Sequence, residues 1–261
     1  MPFDFSVIAK NLDYFLWGRT PDGELGGLLL TVLMALASGF LSLAVGIGAS
    51  FAAWLGSKTV RRVLVAFADF VRAIPLIFVI FWIYFLIPAI FRAEIPGFLS
   101  VILALSWFCS GAVMHSTLSG LEALPKGHRE AGLASGLSER QVFFSILLPQ
   151  ALRNLVPSYV ALFANLVKDT SLAFIMNVPE LTMTANQVNT RTIMYPKEIF
   201  LFIAVVYFIL CSGLSVLAKR LANLSRARRR AEGENAPARK SSAAGRRFPF
   251  RLSALLSPAR E

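Results

Sequence analysis

Five stretches of this chain are apolar for long enough to cross a bilayer: roughly Leu25–Trp54, Val63–Phe91, Phe98–Leu121, Leu155–Val178 and Ile199–Ala218. About 20 helical residues cover the ~30 Å hydrocarbon core. No water is available there to bond backbone N–H and C=O groups, so such runs fold as helices. The chain therefore reads as an all-α membrane protein with five transmembrane helices. No internal repeat is evident, so one helical domain over 25–220 is expected. Charged residues make up only 16% of the chain, short of the ~25% typical of a soluble domain, and the deficit marks lipid-facing surface.

Positive charge gives the helices a direction. A net charge of +11 would point to nucleic acid in a soluble protein, but its placement excludes a basic groove. Twelve of the 26 Lys and Arg residues lie at or after Lys219, and most others sit at the ends of apolar runs. Lys58, Arg61 and Arg62 follow the first run. Lys126, Arg129, Arg140 and Arg153, with His128, follow the third. Lys219, Arg220, Arg226, Arg228, Arg229 and Arg230 follow the fifth. The other side has only Lys10, Arg19, Arg92, Arg191 and Lys197, diluted by acidic neighbours. Loops rich in Lys and Arg stay in the cytoplasm, so the N-terminus is expected outside and the C-terminus inside.

Residues 1–24 lack the pattern of a cleaved signal peptide. They form either an interfacial helix carrying Phe3, Phe5, Ile8, Phe15 and Trp17 or an irregular lead-in on the outer face. Residues 221–261 turn to Ala, Ser, Pro and Arg, as expected of a disordered cytoplasmic tail held against anionic membrane lipid. Cys109 and Cys211 fall inside apolar runs and read as packing residues. His115 and His128 stand apart, so no metal set is apparent.

Two runs contain ionisable groups, which at the bilayer centre cost at least ~2.5 kcal/mol and so face a bundle interior or a wet cavity. In the second, Asp69 and Arg72 are three residues apart on one helix face and can pair. Pro75 follows and opens a bend, so the group reads either as a structural ion pair or as a gating hinge. In the fourth, Asn165, Lys168 and Asp169 share one side and Thr170 and Ser171 flank it. These groups suit a small polar or zwitterionic solute; a Lys168–Asp169 contact locking helices together is the alternative.

Between the third and fourth runs lies a polar insert, 125–150. A short helix over Glu130–Leu137 is expected to end near Gly136. Ser138 reads as the N-cap of a second helix with Gln141 as its capping-box partner. Val142, Phe143, Ile146 and Leu147 line one side of that second helix, and Pro149 and Pro157 bracket a turn into the fourth span. Ala131, Gly132, Ala134 and Ser135 are expected at the surface of this knob, where small residues admit a partner's groove.

Glu130-Ala131-Gly132, Gly136, and then Ile146-Leu147-Leu148-Pro149 resemble the EAA loop of binding-protein-dependent ATP-binding-cassette importer permeases, EAA-x3-G-x9-I-x-L-P, with Gly132 in place of the second Ala. Phe70-Val71-Arg72-Ala73-Ile74-Pro75-Leu76, Leu147-Leu148-Pro149-Gln150-Ala151-Leu152-Arg153 and Leu166-Val167-Lys168-Asp169-Thr170-Ser171-Leu172 are similar to its polar amino acid branch, most of all to glutamate/aspartate permeases. The resemblance implies a methionine-importer-like core paired with a second permease subunit, identical or homologous, in the bacterial inner membrane. It implies that Glu130, Ala131, Gly132, Gly136, Leu148 and Pro149 belong to the element that couples to a cytoplasmic ATPase dimer, and that a periplasmic solute-binding protein delivers substrate. The chain itself would hold no cofactor, ATP and Mg being bound by the ATPase; no phosphate loop is present. Where such permeases carry a Glu and then an Arg near the end of the third span, this chain has His115 and Leu118. An ion-coupled secondary transporter is the rival reading, with Asp69 or Asp169 as its only deep carboxylates. No motif of a membrane-embedded enzyme occurs.

Overall fold

A computed structural model describes residues 4–19, 24–92 and 94–234. Two short helices, Ser6–Lys10 (α1) and Leu12–Trp17 (α2), lead into a hairpin of two-residue strands, Gly18–Arg19 (β1) and Glu24–Leu25 (β2). Then follow the helices Gly27–Leu55 (α3), Lys58–Ala73 (α4), Leu76–Phe81 (α5), Ile87–Phe91 (α6) and Gly97–Glu122 (α7). Next come Lys126–Ala134 (α8), Glu139–Val142 (α9), Leu148–Asp169 (α10), Leu181–Thr192 (α11) and Pro196–Glu234 (α12). The described residues up to Ser225 form one compact unit, and the described part of the second, 226–234, is the end of α12. The disordered tail expected over 221–261 is corrected over 221–234, where the chain continues α12; the rest of it lies outside the described residues.

Among the described residues four helices are long and apolar enough to cross a membrane, Gly27–Leu55, Gly97–Glu122, Glu139–Met176 and Pro196–Leu224; the bent pair Lys58–Ala73 and Leu76–Phe91, counted as one broken span, gives a fifth. The all-α, five-span reading therefore holds, with two corrections. The second run is not one helix. It turns by 99° between Ala73 and Leu76, because Pro75 cannot donate an N–H and also forces Ile74 into extended backbone (ψ 133°). The fourth is longer than expected and does not turn between Pro149 and Pro157. A π turn over Phe143–Leu147, closed by the Leu148 N–H on the Phe143 carbonyl, widens the helix just ahead of Pro149. That extra room takes up the ring clash a proline would otherwise cause, so the chain stays helical from Glu139 to Met176.

The centre is the contact of α3 with α7. Lipid tails are as apolar as leucine, so helices associate here by close packing and hydrogen bonds rather than by escape from water. α3 supplies a buried stripe of small residues: Thr31, Ala35, Ser38, Ser42, Gly46, Ser50 and Ala53. Ser38 donates to the Ile102 carbonyl at 3.3 Å and Ser50 to that of Met114 at 3.2 Å. At Gly46 the backbones come so close that a Cβ would sit 2.6 Å from Val113 Cβ and 2.7 Å from the Ser110 carbonyl oxygen. α10 docks on α7 through a 2.9 Å hydrogen bond between the Thr117 and Tyr159 hydroxyls. At the other end of the bundle, Val7 and Phe15 of the lead pack against Leu181, Ala185 and Val188 of α11 and Ile199 and Ile203 of α12. The described part of the lead is thus mostly helical, anchored on the bundle by Val7 and Phe15, while Phe5, Leu12 and Trp17 stay exposed.

Gly46→Ala should lower the thermal midpoint of the detergent-solubilised protein, since overpacking a filled contact costs about 1–3 kcal/mol. Gly48→Ala, with nothing within 4 Å of the added Cβ, should leave it unchanged or slightly higher. Equal melting of the two variants would contradict the packing described.

Candidate functional site

The polar insert folds as two helices clamped to each other. α8 ends in a Schellman closure: the Leu137 N–H bonds the Gly132 carbonyl at 3.2 Å and the Gly136 N–H that of Leu133 at 3.0 Å. Gly136 sits at φ +82°, a left-handed position that a side chain disfavours. Ser138 then caps α9, with the expected reciprocal bonds to Gln141. Val142, Phe143 and Leu147 are buried with Leu121 and Ala151, against Phe51 and Trp54 of α3. Gly132 corrects an expectation. It is the buried residue of α8 and faces inward, where a Cβ would lie 2.9 Å from both Ile146 Cδ1 and Val142 Cγ2. Those two side chains fill the space of the missing methyl. Glu130, Ala131, Ala134 and Ser135 remain exposed.

Beside α8 opens a cleft of about 770 Å³, lined among others by Trp54, Arg61, Glu122, Arg129, Glu130 and Glu139. Two ion pairs stand in its wall, Arg61 with Glu122 and Arg129 with Glu139. Leu148 and Pro149 are half-buried at the root of α10, which runs on without a break to Asp169 and, as a 3-10 turn over Thr170–Met176, to the end of the fourth span.

Within the spans the expected pairs do not close. Among the described residues Asp69 has no ion pair with Arg72, nor Lys168 with Asp169. Asp69 Oδ1 lies instead 2.9 Å from His115 Nε2, near enough for an ion pair though not aligned as a hydrogen bond. The helical step places Arg72 one turn further on, over Gly111, where its Cδ fills the space of a Cβ at 3.2 Å. Asn165 and Lys168 are exposed, Asp169 and Ser171 half-buried, and Thr170 fully buried with its hydroxyl on the Val167 carbonyl at 2.7 Å. Of the two hydroxyls, that of Thr170 is thus turned into the protein. Pro75 stands at the 99° bend.

Sequence reading passed over Glu180, in the turn between the fourth and fifth spans. It is fully buried and caps α11: Oε1 accepts the Met183 N–H and Oε2 the Thr182 N–H, both at 2.9 Å. The Tyr207 hydroxyl of α12 donates to Oε2 at 3.2 Å, and Thr31 Oγ1 of α3 lies 3.5 Å away. The Pro179 carbonyl accepts the Gly27 N–H at 2.8 Å. One carboxyl thus joins three elements. Burial without a cation pushes it from the ordinary carboxylate range up to about 7, the backbone donors only partly offsetting this. Glu is not among the preferred N-cap residues, so the sequence carried no usable signal for it.

The sequence profile of the family described as "Binding-protein-dependent transport system inner membrane component" matches residues 42–227. The chain belongs to this family. As a permease component it lies in the inner membrane with multiple spans, holds no cofactor, and is not itself an ATPase; an ATPase and a binding protein are its partners. Ion-coupled transport is thereby set aside. The permease is 35% identical over 210 residues to the "Probable glutamine ABC transporter permease protein GlnP" of Bacillus subtilis, covering 79% of this chain and 92% of that one. It is 30% identical over 232 residues to the "Glutamate/aspartate import permease protein GltK" of Escherichia coli O6:H1, covering 84% and 96%. Its fold matches a chain of the "Crystal structure of an amino acid ABC transporter with histidines", TM-score 0.73 at 22% identity, over 85% of this chain and 99% of that one. It also matches the MetNI methionine ABC transporter in an inward-facing form, TM-score 0.62 at 18% identity, over 74% and 93%. The methionine-importer-like core expected from the sequence is present.

Glu180 gives the permease a pH dependence of defined sign. Between the ordinary carboxyl value of 4.5 and about 7, the folded state holds a proton that the unfolded chain has lost, so stability falls as pH rises through that window. Thermal midpoints in detergent from pH 5 to 8 should fall more steeply for the native chain than for Glu180→Gln. Parallel profiles would contradict the assignment.

Proposed function

We propose that this chain is the translocating subunit of an importer for a polar amino acid, with glutamine, glutamate or aspartate as the leading substrates. What supports the substrate class is the set of relatives named for these amino acids, at 30–35% identity over nearly their full lengths. The loop-charge asymmetry supports an orientation with α8, Lys58, Arg61 and Arg62 in the cytoplasm, the N-terminus outside and the C-terminus inside. In this arrangement a cytoplasmic ATPase dimer seats on α8 through Glu130 and Ala131. A second permease subunit, identical or homologous, completes the pathway, and a periplasmic binding protein delivers substrate to the opposite face.

The observation that carries the mechanism is the unbroken helix from Glu139 to Met176. α8 is packed through Gly132 onto its first turns, and its far end holds Lys168, Asp169, Thr170 and Ser171. Movement of α8 on ATP binding therefore displaces the polar segment directly, as a rigid-body transmission between two states. Lys168 and Asp169 offer a cation and an anion to a zwitterion's carboxylate and ammonium, with Asn165 and Ser171 supplying neutral contacts, whereas Thr170, buried with its hydroxyl on the Val167 carbonyl, drops out of the expected path. The Pro75 bend next to Asp69 and Arg72 is the hinge at which the second span yields.

Vesicles reconstituted with the ATPase and binding protein provide the test. Gly132→Leu, which forces α8 off Val142 and Ile146, should reduce ATP-dependent uptake at least tenfold; unchanged uptake in this variant or in Glu130→Ala would sink the coupling role. Lys168→Ala should raise the substrate concentration for half-maximal uptake about 10- to 100-fold, the worth of a hydrogen bond to a charged group. An unchanged half-maximal concentration would remove Lys168 from the path.

A further inference from the structure

A nine-residue helix that receives force must not roll or slide against the lever it drives. α8 meets that lever through few contacts. The apolar ones, Gly132 on Val142 and Ile146 and Leu133 and Leu137 against the Val142–Leu147 cluster, fix its distance but permit rotation about its axis. Two polar contacts remove that freedom. Arg129 reaches Glu139 with two donors, Nε to Oε2 at 3.1 Å and Nη2 to Oε1, a planar fork that sets orientation as well as distance. The neighbouring His128 Nδ1 lies 2.7 Å from Gln150 Oε1, on the first turn of α10. One contact thus grips the start of the lever helix and the other grips it eleven residues further along.

Energy alone does not account for the fork. Both side chains are nearly half exposed (46% and 45%), and a pair of that exposure contributes about 0–1 kcal/mol to stability. Its use is geometric. Resting on the permease reading above, we propose that Arg129 and Glu139 are positioning residues that lock α8 in rotation on the α9–α10 helix, so that ATPase-driven movement reaches the substrate segment without slip. His128 and Gln150 form the second point of the clasp. Glu130, the residue proposed to meet the ATPase, is the next along α8 and is exposed in the same cleft as Arg129 and Glu139, so the docking and locking contacts are neighbours.

Charge reversal tests the lock in the complete transporter. Arg129→Glu and Glu139→Arg should each still co-purify with the ATPase and hydrolyse ATP. Uptake per ATP hydrolysed should nevertheless fall at least about fivefold, a coupling loss on the scale of 1 kcal/mol, and the double reversal should recover most of it. Single variants with the native ratio, or a double variant as uncoupled as the singles, would overturn the proposal. So would loss of ATPase co-purification in the singles, which would make Arg129 and Glu139 docking contacts. A second readout does not depend on transport. Spin labels at Ala134→Cys and Ser158→Cys, with Cys109 and Cys211 replaced by alanine, should give a broader distance distribution in either single reversal and a native one in the double. Absence of uptake by the native complex would count against the importer reading, whereas unbroadened distances would count against the lock.

Discussion

The close contact of α3 with α7 is the condition for everything else in this fold. Without a hydrophobic drive between helices in lipid, two spans hold together only where their backbones can approach and where polar side chains find carbonyls. The stripe Thr31–Ala35–Ser38–Ser42–Gly46–Ser50–Ala53 meets both demands, and Gly46 is where the approach is tightest. α7, fixed in this way, presents its other faces to the rest: Thr117 to Tyr159 of α10, Gly111 to Arg72, His115 to Asp69. Thr31, at one end of the same stripe, accepts the Leu181 N–H at 3.1 Å and lies beside Glu180. The packing stripe and the junction of α3, α11 and α12 are therefore one continuous surface of α3.

What the sequence made legible was whatever is local. Apolar length gave the spans to within a few residues for Gly27–Leu55 and Gly97–Glu122. Ser138 and Gln141 gave the capping box, and the spacing from Glu130 to Pro149 gave the family that the profile match bears out. Prolines were harder, because their effect depends on the backbone around them. Pro75 follows ordinary α-helix and breaks it by 99°; Pro149 follows a π turn and breaks nothing. No property of either dipeptide distinguishes the two cases.

Partners across the bundle were not legible at all. Asp69 and Arg72 are spaced to pair on an isolated helix, yet packing puts His115 opposite the carboxylate and Gly111 under the arginine. Gly132 looked like a surface residue in a run of small ones, and its burial follows from Val142 and Ile146, ten and fourteen positions away. Glu180 was missed because glutamate is not a preferred N-cap and because its other partners, Tyr207 and Thr31, lie on helices distant in sequence. In each case the deciding neighbour belongs to another helix, and a single sequence without tertiary context does not name it.

The proposed joint movement of α8 and the polar segment of the fourth span, under the control of the ATPase, is measurable from both sides of the membrane. Its most direct measurement is the accessibility of Ser171→Cys to a membrane-impermeant thiol reagent from each side of oriented vesicles, in a background lacking Cys109 and Cys211, with and without a non-hydrolysable ATP analogue on the ATPase. Nucleotide should shift labelling from the cytoplasmic to the opposite side, and Gly132→Leu should abolish the shift while labelling in the absence of nucleotide persists. A labelling pattern indifferent to nucleotide, or a shift that survives the Gly132 substitution, would contradict it.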